Sequence, residues 1–141
     1  MALVKNLKGV ESKNIRENIT ETECTYFIFE KDDKKNIKKN DSFGPEELNL
    51  NPRILLVLFK EKDGTYSLAA KNDKAFIKSE GNEDNPALMD TLSDISIKNN
   101  VLKIVFYYFM TAGSWWTSSE VYIFRFQNNV FELIGYESNA Y

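Results

Sequence analysis

A mainly β fold, an antiparallel meander sheet of six or seven strands with one or two short helices, is what the chain predicts, and three observations predict it. Short aromatic and β-branched runs recur between clusters of Gly, Pro, Asn and Asp, which is the pattern of strands separated by turns. Two Asn-Asn pairs and one Asp-Gly pair interrupt these runs, and such residues tolerate the left-handed backbone that a tight hairpin requires. The composition is that of a globule: 43% hydrophobic, 13% aromatic and 28% charged over 141 residues. That length suits a single β-rich domain spanning 1–141 and hides roughly two-thirds of the unfolded surface.

Taken in order, the first twenty or so residues are polar with scattered aliphatics, and a short helix is expected at 11–18. CTYFIFE at 24–30 reads as a strand; its lack of alternation implies apolar contact on both faces, so a central position. KDDKKNIKKN at 31–40 is a charged connection. At 44–48, GPEEL places Pro and acids as at the first turn of a short helix. RILLVLFK at 53–60 is the clearest strand of the first half, and Asp63-Gly64 turns it toward a partner at 66–70. The stretch 79–94 is loop-like around Gly81, Asn85 and Pro86, with one helical turn expected at 86–89. A meander follows: 95–98 and 101–109 flank Asn99-Asn100, and 120–127 and 130–136 flank Asn128-Asn129.

The chemistry the chain lacks is as informative. It has no histidine and a single cysteine, Cys24. That removes Ser-His-acid and Cys-His nucleophile activation, histidine metal sites, cysteine-built zinc and any intrachain disulfide. Cys24 adjoins an apolar run, where a buried thiol is the plain expectation. No Gly-rich phosphate loop occurs, and no alternating aspartates precede a glycine as a calcium loop demands. Carboxylate-only catalysis survives this filter, with a pair such as Glu46 and Asp90 as its form, but acids abound in any such chain. The expectation is no enzyme activity, no cofactor and no metal.

Net charge is −3 and the only arginines are Arg16, Arg53 and Arg125, which argues against nucleic-acid binding. No run approaches the ~18 apolar residues of a membrane span. Lys5 and Lys8 break the apolar start, so Met1 as natural start implies the cytoplasm; a trimmed leader would instead imply periplasm or envelope.

Two segments carry binding expectations. AGSWWTSS at 112–119 holds Trp115 and Trp116. On an extended strand adjacent residues face opposite sides, so one indole enters the core and the other lies outward, suited to a ligand or protein. The plainer account packs both. The 79–94 stretch carries Glu80, Glu83, Asp84, Asp90 and Asp94 with no basic residue, and would speed encounter with a basic protein; its plainer account is an ordinary solvated loop. The Lys-rich 31–39 cluster is diluted by Asp32, Asp33 and Asp41 and reads as solvated. Tyr107 and Tyr108 repeat the argument made for the tryptophans, as do Tyr122, Phe124 and Phe126, which face away from Val121, Ile123 and Arg125. The meander therefore has two apolar faces, for which coverage by the N-terminal half is the first account and a partner the second.

From Leu48 onward, LNPR at 50–53, ISIKNN at 95–100, GSWW at 113–116, YIFRFQNN at 122–129 and FELIGY at 131–136 resemble the C-terminal part of small bacterial FG-GAP/VCBS-like proteins. The resemblance covers about the last two-thirds of the chain and implies a β-rich fold without an activity. It also implies an aspartate-rich calcium loop before the first strand, but NIRENITETE at 14–23 lacks the aspartates and the glycine. The functional expectation is a non-catalytic protein-binding module, most concretely a cytosolic immunity-type inhibitor that neutralises a basic toxin domain. The alternative is an envelope ligand- or carbohydrate-binding domain that stacks its ligand on a tryptophan.

Overall fold

Pairing starts from the run at 24–30. In the computed structural model, which describes residues 10–11, 24–112 and 116–141, Val10–Glu11 (β1) lies antiparallel to Cys24–Lys31 (β2). Eight further strands follow: Ile37–Lys39 (β3), Glu47–Asn49 (β4), Arg53–Lys60 (β5), Tyr66–Asn72 (β6), Leu92–Lys98 (β7), Val101–Phe109 (β8), Thr117–Gln127 (β9) and Val130–Ala140 (β10). They form one four-stranded sheet in the order β1-β2-β5-β6, a second in the order β10-β9-β8-β7, and a separate β3-β4 ribbon. Every pairing is antiparallel. The mainly β expectation holds, and the second sheet is the expected meander. The strands exceed the six or seven expected because the chain builds two sheets and a ribbon. Helix among the described residues is one 3-10 turn, Lys34–Asn36.

The two large sheets share a core. Cys24, Tyr26 and Ile28 of β2 and Leu55 and Val57 of β5 pack against Ile95, Ile97, Leu102, Ile104 and Phe106 of β7 and β8. Each such fully buried aliphatic or aromatic side chain contributes roughly 1.5–3 kcal/mol. The Tyr26 hydroxyl donates to the Ile95 carbonyl at 3.1 Å, tying β2 to β7 across the sandwich. On the far face of the first sheet Phe27, Phe29, Leu56 and Leu58 form a second buried cluster. Seven successive β2 residues are therefore buried, as the missing alternation implied. Cys24 is fully buried, and that burial pushes its thiol up to about 11.

The turns follow the predicted chemistry. Asn99 and Asn100 take φ of 51° and 61°, and Asn128 and Asn129 take 54° and 62°, the mirror-image turns that match strand twist. Gly64 takes φ of 85°, and the Asp63 carboxylate accepts the Thr65 N–H at 2.9 Å and its hydroxyl at 2.6 Å. Those bonds, hydroxyl first, hold the Asp63 carboxyl below the usual range.

Three helix expectations fare differently. The one at 11–18 lies outside the described residues apart from Glu11, which pairs with Glu30 in β1. At 44–48 the chain is not helical. Gly44 adopts φ of 110° and a Cβ there would meet the Pro86 carbonyl oxygen at 2.5 Å, while Leu48 pairs with Lys38 in the ribbon. At 86–89 a turn closed by Leu88 N–H to Asn85 C=O leads into a β-bridge between Leu88 and Met110. Unpaired backbone at the end of β8 recruits that segment as an extra strand partner.

Candidate functional site

The acidic stretch 79–94 belongs to the crossover between the two large sheets, and it is tied down as it passes. Arg53, the first residue of β5, is buried and lies opposite Glu30 in register. Its guanidinium donates to both Asp90 oxygens, at 3.0 and 2.6 Å, and to Glu30 at 3.4 Å. Burial pulls the Arg53 pKa down, but the Asp90 hydrogen bonds and the two carboxylates outweigh it, so the net shift is upward. Glu30 also accepts from the Asn49 amide at 3.2 Å, and Asn49 in turn accepts from Asn51. Asn51 then accepts the Asp33 N–H and the Asn36 amide. One polar network thus joins the first sheet, the ribbon and the crossover. Glu83 pairs with Lys38 at 3.2 Å, and Glu80 accepts from Asn49 at 3.5 Å.

The expectation of five acids without counter-charge is corrected by these contacts. Asp90 and Glu83 have cationic partners, and Glu80 is hydrogen-bonded across to the ribbon. Asp84 and Asp94 stay exposed. The five do not form one patch, since Asp94 lies in β7 beyond the crossover. Arg53 as that counter-charge escaped the sequence reading. The available signal was an arginine opening an apolar strand that pairs with the acid-ended run at 24–30.

A groove of about 660 Å³ runs between the ribbon and the crossover, lined by residues including Glu47, Glu80 and Asp90. Asp90 meets it with its oxygens already engaged by Arg53, and Glu46, the other half of the carboxylate pair considered from sequence, is not among the lining residues. Among the described residues no three acids or thiols converge as a metal site would need. No helix among them is long and apolar enough to cross a membrane.

Most of the exposed large apolar side chains among the described residues lie on or beside the meander. Its inner face carries Tyr122 and Phe124 against the core, with Phe126 edge-on to Phe59 at 4.7 Å between ring centres. Coverage by the N-terminal half therefore accounts for this face over β7, β8 and most of β9, while Leu133 and Tyr136 of β10, on the same side, stay half exposed. The outer face is different. Phe109, Thr117 and Tyr141 line up across three chain segments, next to Tyr107 and Ser119. Tyr107 and Phe109 are each 42% exposed and Tyr141 75%. The neighbouring row runs Asp94, Val105, Val121, Glu137, with the exposed acids at its two ends. Lys98, Lys103 and Arg125 lie toward the Asn-Asn turns, with Glu132 opposite Arg125, so the aromatic side chains and the Asp94 and Glu137 carboxylates occupy one end and most of the cations the other. Trp116, just before β9, is 51% exposed, whereas Trp115 lies outside the described residues. Of the adjacent pair Tyr107 and Tyr108, weighed from sequence as one inward and one outward, Tyr107 is the outward one; Phe109 and Tyr141 were not singled out, although the alternation within β8 marks Phe109 as outward.

The inner face of the same sheet contains one carboxylate, Glu120. It accepts the Tyr108 hydroxyl at 2.8 Å and the Tyr136 hydroxyl at 3.0 Å. Burial, and next the hydrogen bond to Glu120, push the Tyr108 phenol well above its ordinary range; Tyr122 is raised in the same direction by burial and then by the Glu120 charge. A pocket of about 330 Å³ opens beside this group. A separate apolar cleft of about 340 Å³ lies between the sheets, over Ala70 of β6.

Comparison of the chain with known protein families, with curated proteins and with solved structures returned no match.

Proposed function

We propose that the protein is a non-catalytic protein-binding module that engages its partner through the outer face of the meander sheet. The observation that carries this reading is the exposed Tyr107, Phe109 and Tyr141 on a rigid sheet face flanked by Asp94 and Glu137. Aromatic anchors on a fixed backbone supply contact area at little entropic cost and are the residue types that dominate binding energy. The flanking acids favour a basic partner and accelerate encounter with it. The most concrete form is an immunity-type inhibitor of a basic toxin domain, which needs shape and charge at one surface and no reacting group. Asp84 and Asp94 remain available to that partner; Glu80, Glu83 and Asp90 serve chiefly to hold the crossover.

The test is affinity capture from an extract of the source cells on immobilised protein. A basic protein should be retained, should elute as salt rises, and should be absent when Tyr107 and Phe109 are both changed to Ser. Identical retention by the two columns would refute the reading.

The half-exposed Trp116 favours a second reading, a carbohydrate-binding domain that stacks a sugar on the indole. Glycan-array binding abolished by Trp116→Ala would support it, and silence of the array would remove it.

A further inference from the structure

We propose that the pocket beside Glu120 binds a small organic cation bearing an alkylammonium group, with Glu120 as counter-ion and Phe76, Phe106, Tyr108 and Tyr122 as aromatic walls. Glu120 stands on the inward face of β9, paired with Phe106 in register. A carboxylate at such a position is costly unless it is hydrogen-bonded and its charge is met. Hydrogen bonding is supplied by Tyr108 and Tyr136, but a phenol hydroxyl that donates brings no positive charge, and Glu120 forms no salt bridge with any described residue. A carboxylate without an ion-pair partner among the described residues therefore sits at the wall of a cavity of about 330 Å³, with Lys78 exposed at the rim.

The other walls favour the same sign of ligand. Phe76, Phe106 and Tyr122 form a mutually edge-to-face trio, with ring centres 5.5, 5.2 and 5.8 Å apart. Ring faces carry negative partial charge and attract desolvated cations, quaternary ammonium above all. An anion would be repelled by both elements. A hard metal ion wants six or more oxygens, and one carboxylate with two phenols does not supply them. A neutral apolar molecule gains nothing from Glu120. Lys78, exposed on the rim of the same pocket, is a competing cation carried by the chain itself, so its removal should open the site.

The experiment is calorimetric titration of the full chain with choline and with its neutral isostere 3,3-dimethylbutanol. Choline should bind at one site and the isostere roughly tenfold more weakly, the size of a partly desolvated cation–π and charge contribution. Glu120→Gln should erase that difference, and Lys78→Ala should strengthen choline binding several-fold. If Glu120→Gln does not fold, the isostere comparison and Lys78→Ala still decide. A peptide carrying trimethyl-lysine presents the same group on a chain; whichever of the two binds more tightly identifies the source. Equal binding of choline and isostere, or no binding of either choline or the peptide, overturns the proposal.

Discussion

Strand β2 buries seven residues in succession, from Cys24 to Glu30, whereas β8 alternates between buried Leu102, Ile104 and Phe106 and partly or fully exposed Lys103, Val105 and Tyr107. Both are interior strands of four-stranded antiparallel sheets. The difference lies in what covers them. Both faces of the first sheet carry buried clusters, and the second sheet is covered on one face alone. Burial on both faces makes β2 a scaffold, and the first sheet's exposed apolar side chain, Leu68, lies out on β6. A singly covered sheet keeps a rigid surface whose composition can serve recognition, and here that surface holds Tyr107 and Phe109.

Substitutions should separate the two sheets by their cost. Phe27→Ala, in the doubly covered sheet, should destabilise by about 4 kcal/mol through lost burial and the cavity left behind; urea unfolding measures it. Tyr107→Ala on the outer face should cost under about 1 kcal/mol by the same assay. Comparable losses at the two positions would break the distinction.

Arg53→Met should cost about 3 kcal/mol, since it removes the guanidinium that meets the buried Glu30 carboxylate and releases Asp90. The crossover should loosen with it, seen as faster amide exchange at Leu88 and Met89, while the Asn-Asn turns keep their protection. Arg125→Met, on the exposed face, should change the unfolding midpoint little.

Alkaline pH sharpens the contrast in a third way. A group whose folded pKa lies above its unfolded value contributes stability that is complete below the unfolded value and is lost as pH rises through the folded one. The Cys24 thiol, pushed up to about 11 by burial, and the raised Tyr108 phenol both act in this sense. Stability should therefore be level on their account near pH 7–8 and fall from about pH 9 upward. Cys24→Ala should flatten the first part of that fall, and the thiol should resist a disulfide-exchange reagent at pH 8 until the protein unfolds.

Much of this fold was legible in the sequence because its signals are local. The apolar run at 24–30, the Asp63-Gly64 turn and both Asn-Asn turns act through the backbone of a few consecutive residues. Misreadings arose where distant chain decides. Pro45 and the acids after it suit a helix start, yet Gly44 is pressed against Pro86 and Leu48 pairs with Lys38. The acids of 79–94 looked unopposed because Arg53 stands 37 residues before Asp90. The candidate surface was half legible: alternation in β8 separates Tyr107 from Phe106, but only the other sheet's position shows which set is covered. Glu120 was illegible, since nothing nearby announces that it faces inward toward tyrosines from β8 and β10.

Hydroxyl-radical footprinting of the protein, alone and with its captured partner, tests the singly covered face most directly. Alone, Tyr107, Phe109 and Tyr141 should be oxidised readily while Phe27, Phe29 and Phe106 stay unmodified. With the partner bound, the first three should be shielded several-fold. Unchanged oxidation at Tyr107 and Phe109, with shielding confined to the crossover around Asp84, would contradict the assignment of the outer meander face as the binding surface.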